Sequence, residues 1–347
     1  MYIKKILAAI AVIGAILGFM FVYYVYNAVF SPNTAFENDQ AYVYVKTNAT
    51  FADVKEQLTP LLKDVNSFAK VSERKAYTSN IKAGKFAIKK GMNNNEIINS
   101  LRSKNLPISL SFNNQETLEK LAGRIATQIE ADSVSLIKSF KDASFIKNSK
   151  FNDATALAMY IPNSYEFFWN TSAEGFRDRM QKEYNRFWNE TRLNKAKAIG
   201  LTPQQVVTLA SIVHKETAMV TERPRVAGVY MNRLKKNMLL QADPTVIFAI
   251  KKKEGNFDKV IKRVLYKDLE LDSPYNTYKY AGLPPGPIAM PDISAIDAVL
   301  NYEKHDYYYF VADVKNFGYH KFAKTLSQHN ANKQEYVRWL NSQAIKR

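Results

Sequence analysis

The sequence predicts an α+β protein built as a single N-terminal transmembrane helix, a small module and a larger mixed α+β region. Three observations predict it. Residues 6–26 carry no charge and are dominated by Ile, Leu, Val, Ala, Phe and Gly. Alternating runs such as Tyr42–Val45 and Tyr307–Ala312 read as strands, whereas segments such as Ala173–Glu190 have the period of amphipathic helices. Hydrophobic residues make up 46% of the 347, enough for two or three packed domains, and 12 Gly and 12 Pro are too few for a disordered chain.

Taken in order, residues 1–5 form a short tip containing Lys4 and Lys5, and 6–26 is the membrane helix. About 20 apolar residues cross the ~30 Å hydrocarbon layer. The next Lys or Arg is Lys46, so the positive-inside rule puts the N-terminus in the cytoplasm and the rest outside. A cleaved signal peptide is the competing reading. The apolar stretch is longer than a usual signal core, and no A-x-A site follows. The expected location is therefore the cytoplasmic (inner) membrane, single-pass. The formal charge of +17, from 49 Lys+Arg against 32 Asp+Glu, favours anionic neighbours. Outside the cell, lipid head groups or an acidic wall polymer fit that charge, and nucleic acid does not. There is no cysteine, which excludes disulfides and thiolate metal sites.

Residues 27–40, with Pro32, read as a linker. From 41 to 110 the order is strand, helix, strand, helix: Tyr42–Val45, then Thr50–Leu62 with Thr50 as cap, then a turn into Phe86–Ile88, then Met92–Leu101. That is a small separate module. Ile108–Phe112 opens a second region, 111–347. Helices are expected at Thr117–Ile129, Ser133–Phe140 and Ala173–Glu190, an irregular aromatic stretch at Ile161–Trp169, and a hairpin of Tyr307–Ala312 with Tyr319–Phe322. A closing helix is expected at Lys333–Ser342.

The informative segment is Leu209–Thr245. Thr202, Pro203 and Gln205 make a strong helix start, with a capping box and proline in the first turn. Glu216 then falls at i+7 from Leu209, i+4 from Ile212 and i+3 from Val213, so it continues the apolar face. Desolvation and the negative end of a helix stopping near Ala218 should both raise its pKa. A carboxylic acid still protonated near neutrality is what general-acid cleavage of a glycosidic bond requires. The geometry by itself favours the commoner arrangement, a buried ion pair with Arg223, Arg225 or Arg233.

Other candidates carry less. His214, His305, His320 and His329 lack H-x-x-x-H spacing, so no histidine metal site or cofactor is expected. Ser211 lies inside a helix without a G-x-S-x-G elbow. Tyr275, Asn276 and Tyr278 offer groups that suit sugar binding or any polar loop. Gly282–Ile288 is a rigid Pro/Gly loop that would read as a surface turn if it stood alone.

Together, LASIVHKE (209–216), ERP (222–224), VYMNRL (229–234), LQADPTV (240–246), PYNTY (274–278), GLPPGPI (282–288), YYFVAD (308–313), His320-x-Phe322 and Thr325-x-x-x-His329-Asn330 resemble the endolytic murein transglycosylase (YceG-like, MltG) family. The resemblance implies that 41–110 is a LysM-like module and 111–347 a catalytic domain with its core at 160–347. It implies that Glu216 is the catalytic acid, and that internal MurNAc–GlcNAc bonds of peptidoglycan are cut without water, leaving 1,6-anhydro-MurNAc ends. Gln241, Asp243, Thr245, Asn232, Tyr275, Asn276 and Tyr278 would then bind substrate, with Glu222, Ser211, His320, His329 and Asn330 as a second tier. Peptidoglycan synthases become possible partners. The chain departs from the family pattern at His214, where many relatives carry a second glutamate. Two other functions remain open: a muramidase-type hydrolase pairing Glu216 with Asp243 or Glu222, and a non-catalytic wall-binding scaffold.

Overall fold

The structure, a computed structural model, describes residues 2–342. Met1, within the expected tip, and 343–347, the end of the expected catalytic region, lie outside it. The chain divides into two compact units. One comprises the residues up to Leu110 with Gln128–Ala131 and Tyr165–Ser172; the other comprises Ser111–Thr127, Asp132–Ser164 and the chain from Ala173 onward.

The first unit begins with helix α1 (Tyr2–Phe30), which has no buried residue and a mean hydropathy of 2.6 over its most apolar window. At 1.5 Å per residue it is about 43 Å long, more than a bilayer core needs. The linker expected over 27–40 is not a free tether. Residues 27–30 continue the helix, and Asn33 and its neighbours are bonded into the unit. Asn94 Nδ2 donates to the Ala28 carbonyl at 2.7 Å. Asn33 is buried; its side chain donates to Asp64 O at 2.8 Å and to Asn94 Oδ1 at 2.7 Å, and accepts from Asp64 N at 2.8 Å. A polar composition looked like solvated linker, but the polar groups are satisfied by the fold.

Strands β1 (Gln40–Val45) and β2 (Gly84–Lys89) pair antiparallel, Gln40 opposite Lys89 and Val45 opposite Gly84. Their inward residues Val43, Val45, Phe86 and Ile88 alternate, as one buried face requires. Helices α2 (Phe51–Leu58), α3 (Val65–Arg74) and α4 (Asn94–Leu101) close the core with Val54, Leu58, Phe68, Ile97, Ile98 and Leu101. The Thr50 cap is present, reciprocated by Asp53. Helix α3 was not anticipated; the side chain of Asp64 caps it.

Strand β3 (Pro107–Phe112) pairs with β4 (Asn163–Phe168), and the division between the units falls within both. Sequence reading made Ile161–Trp169 irregular. Past Pro162, however, Tyr165, Phe167 and Phe168 favour extended backbone, and Phe167 is buried.

The second unit is mostly helical: α5 (Leu118–Ala126), α6 (Ser133–Phe140), α7 (Ala143–Asn148), α8 (Ala173–Phe187), α9 (Glu190–Ala198), α10 (Pro203–Glu216), α11 (Arg223–Lys235), α12 (Asp243–Glu254) and α13 (Ile293–Leu300). The hairpin β5 (Tyr309–Ala312) and β6 (His320–Ala323) pairs antiparallel, with Phe310 opposite Phe322, and α14 (Leu326–Ser342) packs on it. Helix α14 begins well before the expected Lys333. Helices α7, α9, α12 and α13 were not anticipated. For α12 the signal was present, since Asp243-Pro244 is a good helix opening. Helix α10 is central: Val206–Val213 are all buried, and it packs against α11, α12 and α13. The Pro/Gly loop is no surface turn. Ile288, Ala289 and Met290 are buried, and a side chain at Gly286 would meet the Ala154 carbonyl at 1.9 Å.

Candidate active site

Glu216 is the last residue of α10. The capping box that starts this helix is formed, with Gln205 N donating to Thr202 Oγ1 at 3.3 Å and Thr202 N to Gln205 Oε1 at 2.9 Å. Fourteen residues later the same apolar face delivers Glu216 to the wall of a cavity of about 300 Å³. Tyr230, Arg233, Gln241, Asp243, Tyr278 and His329 line it with Glu216, beside Leu240, Tyr309, Phe310 and Leu326.

The Glu216 carboxyl is packed among these groups yet faces the cavity. Tyr230, itself fully buried, donates its hydroxyl to Glu216 Oε1 at 2.8 Å. Among the described residues no cation lies within 4.0 Å of Glu216; the three arginines nearest in sequence are committed elsewhere. Arg223 pairs with Asp292 at 3.2 Å and Arg225 with Glu303 at 3.0 Å. Arg233 donates to the carbonyls of Tyr308 and Leu240, each at 2.7 Å. The buried ion pair left open by the sequence is therefore not formed. Burial is the largest cause holding the Glu216 carboxyl up at about 7 from an ordinary 4.5; the nearby Asp243 charge adds to it, and the Tyr230 hydrogen bond opposes it, together with the charges of His320 and Arg233.

The rest of the wall is firmly built. Asp243 opens α12 and accepts the Tyr278 hydroxyl at 2.6 Å. Burial, then this bond, pushes the Tyr278 phenol well above its usual value, so it stays a donor. Gln241 sits at φ 50°, in the left-handed region that non-glycine residues avoid, and its N–H donates to Thr277 O at 3.0 Å. The His329 ring stacks on Tyr309 at 5.3 Å; its Nδ1 is buried without a hydrogen-bond partner among the described residues, and burial lowers its pKa. Apolar side chains, two bonded phenols and one carboxylic acid without an ion pair make a site suited to proton transfer to a bound, uncharged oxygen.

The model of the YceG-like family matches residues 43–335. The chain belongs to the YceG-like family. A protein of Bacillus subtilis (strain 168) named endolytic murein transglycosylase is 35% identical over 276 residues, covering 75% of this chain and 74% of that relative. Two Streptococcus pneumoniae proteins of the same name, from strains D39 and R6, are 28% identical over 298 residues, 78% of this chain; the chain spans 53% of their length. The crystal structure of a YceG-like protein from Listeria monocytogenes matches with a TM-score of 0.57 at 30% identity, covering 85% of this chain and 99% of that one.

In this YceG-like chain the sequence-named residues divide sharply. Glu216, Gln241, Asp243, Tyr278 and His329 line the one cavity. Thr245 and Asn276 are buried behind it and do not line it. The Thr245 hydroxyl bonds Ala242 O at 2.7 Å and Thr277 Oγ1 at 2.8 Å. The Asn276 amide donates to Leu269 O and Leu271 O, both at 2.8 Å. Asn232 also does not line the cavity and is a brace, donating to His305 O at 2.7 Å and Tyr307 O at 3.0 Å. Ser211 is fully buried, donating to Thr208 O at 2.7 Å and accepting from Ile288 N at 3.0 Å, which ties α10 to the Pro/Gly loop. Tyr275 lines a different cavity, and Asn330 faces a surface groove on α14. His320 and Glu222 bond each other. His214 contacts Asp292 at 3.2 Å and Arg223 at 3.3 Å, and does not line the cavity.

Sequence reading missed Tyr230, Leu240, Tyr309, Phe310 and Leu326, and named Arg233 only as a possible ion-pair partner of Glu216. For two of them a signal existed. Val226, Tyr230 and Arg233 share one face of α11, so a hydroxyl and a guanidinium sit on an apolar stripe, the same anomaly that marked Glu216.

Proposed function

We propose that this chain is a membrane-anchored endolytic lytic transglycosylase of peptidoglycan. Glu216 acts as its general acid and then its base. The unpaired Glu216 carboxyl in the cavity, held protonated near neutrality, carries the reading; the names of the relatives support it. The protonated carboxyl donates its proton to the glycosidic oxygen, the C1–O bond breaks, and the leaving sugar departs as an alcohol. The resulting carboxylate takes the proton of the same saccharide's C6 hydroxyl, whose oxygen bonds C1 and closes a 1,6-anhydro ring. One carboxyl group serves both halves, whereas a hydrolase needs two.

Tyr230 occupies Glu216 Oε1, which leaves Oε2 to carry and return the proton. The Asp243 carboxylate, held by Tyr278, supplies negative charge to the cationic sugar that develops at C1. Helix α1 would anchor the chain in the cytoplasmic membrane with the N-terminus inside, and 41–110 would serve as a LysM-like wall-binding module. The basic surface suits the anionic wall.

Mass analysis of products from purified glycan strands tests the reaction: 1,6-anhydro ends are expected, and reducing ends alone would refute it. Because Asp243 shares the cavity, a hydrolase using both carboxylates is the second reading. Digestion in 18O-water separates the two, since only hydrolysis places solvent oxygen in the product.

A further inference from the structure

We propose that a second cavity in the larger unit, floored by Phe248, Phe257 and Tyr275 and bordered by Lys252 and Asp153, binds the peptide substituents of the glycan substrate. The inference rests on the peptidoglycan reading above and extends it to the part of the polymer that is not cleaved. The cavity has a volume of about 460 Å³, larger than the one at Glu216, and nothing in the acid–base mechanism uses it. Its floor is aromatic: Phe248 lies 4.7 Å from the Tyr275 ring and 5.5 Å from that of Phe257, and Phe248 and Tyr275 are nearly fully buried.

Its charges separate into those already used and those left open. Glu116 is held by Lys215 and Lys251, each at 2.8 Å, and Glu119 is paired with Lys141. The Lys252 ammonium makes no hydrogen bond or ion pair among the described residues and stands 4.6 Å above the Tyr275 ring. Asp153 likewise has no hydrogen-bond or ion-pair partner among them and is exposed. One free cation and one free carboxylate at the border of an apolar floor match a ligand with an amine, a carboxylate and short aliphatic side chains. A peptide has these groups; a neutral saccharide does not.

The position fits a branched polymer. Asp243 and Lys252 lie on the same helix, α12, nine residues apart, which is about 14 Å along its axis and half a turn around it, so a substituent would reach Lys252 by passing round the helix. Tyr278 faces the Glu216 cavity and Tyr275 the second one, so the same turn contributes to both.

The test uses the full-length chain in detergent and a soluble stem peptide of the wall, with a free amine and a free carboxylate, measured by calorimetry. Binding is expected for the wild type and equally for Glu216→Gln, with Kd about tenfold weaker in Lys252→Ala and weaker in Asp153→Asn; both sites are exposed, so folding is not at stake. No binding, or unchanged binding in both variants, overturns the proposal. A second arm compares peptide-bearing strands with strands stripped by an amidase. A wild-type preference of several-fold for the former should fall towards one in Lys252→Ala, and an equal loss on both substrates would make this a saccharide subsite instead. Absence of anhydro products would sink the proposed reaction while the calorimetry still decides this site.

Discussion

Glu216 and Glu222 are two carboxylates six residues apart, and they have opposite chemistry. Both are shielded from solvent, yet the pKa of Glu222 is lowered, whereas that of Glu216 is raised to about 7. Burial raises both, and partners decide the difference. Glu222 receives the His320 backbone N–H at 2.7 Å and the His320 Nδ1 at 2.8 Å, one on each oxygen. Those donors stabilise the anion and tie β6 to the start of α11. Glu216 has one neutral donor, Tyr230, and an anionic neighbour, Asp243. A buried carboxyl becomes a usable acid where the fold withholds the cation and the backbone amides.

The largest expected effect separates the two in activity. Glu216→Gln should lower glycan cleavage by about 10²–10⁴-fold, the usual range for removing a general acid–base group; equal turnover in both proteins would remove Glu216 from the chemistry. The same group sets a pH limb. With the acid required in its protonated form, kcat/KM should fall as pH rises through about 7.

Next comes stability. The folded pKa of Glu216 lies above its unfolded value of 4.5, so its contribution is full below 4.5 and is lost as pH rises towards about 7. Glu216→Gln should therefore gain on the wild type between pH 5 and pH 8, by up to about 3 kcal/mol, in denaturant titrations at the two pH values. Glu222 has the reverse sign: its contribution is present above 4.5 and lost as pH falls through its lower folded value. Glu222→Gln should cost about 1–3 kcal/mol near pH 7, by the same titration, with the loss shrinking in acid.

Smaller effects sharpen the contrast. Tyr230→Phe removes one hydroxyl from Glu216 while keeping the ring. The alkaline limb of the pH–rate profile should move to higher pH, because that bond favours the carboxylate, and kcat should drop by about threefold to tenfold. An unmoved limb would show that the hydroxyl only fills space. Smallest of all, Gln241→Gly should relieve the positive φ and stabilise the fold by about 0.5–1 kcal/mol in thermal unfolding.

Much of this contrast was legible along the chain, because helical periodicity and capping are local. The Thr202–Gln205 box and the apolar stripe ending at Glu216 arise from residues within a few positions of one another, and the late hairpin pairs residues no more than 14 apart. Tyr275 shows the limit. Three residues from Tyr278 in a short turn, it points into another cavity, and no local pattern distinguishes the two. Thr245 and Asn276 have the side chains of sugar ligands, but Asn276 gives its amide to backbone carbonyls and Thr245 bonds Ala242 O and Thr277, a choice that only packing reveals.

The sequence by itself determined that one acid would lie on a buried helical face and that the chain begins with an apolar helix long enough to cross a membrane, since both depend on side-chain order alone. Tertiary structure decided whether that acid would meet a cation. Arg223, Arg225 and Arg233 were all near enough in sequence to neutralise Glu216, and each is drawn away by Asp292, Glu303 or backbone carbonyls that only folding brings within reach. Protonation depends on whichever partner arrives, and partners in a folded chain come from distant segments.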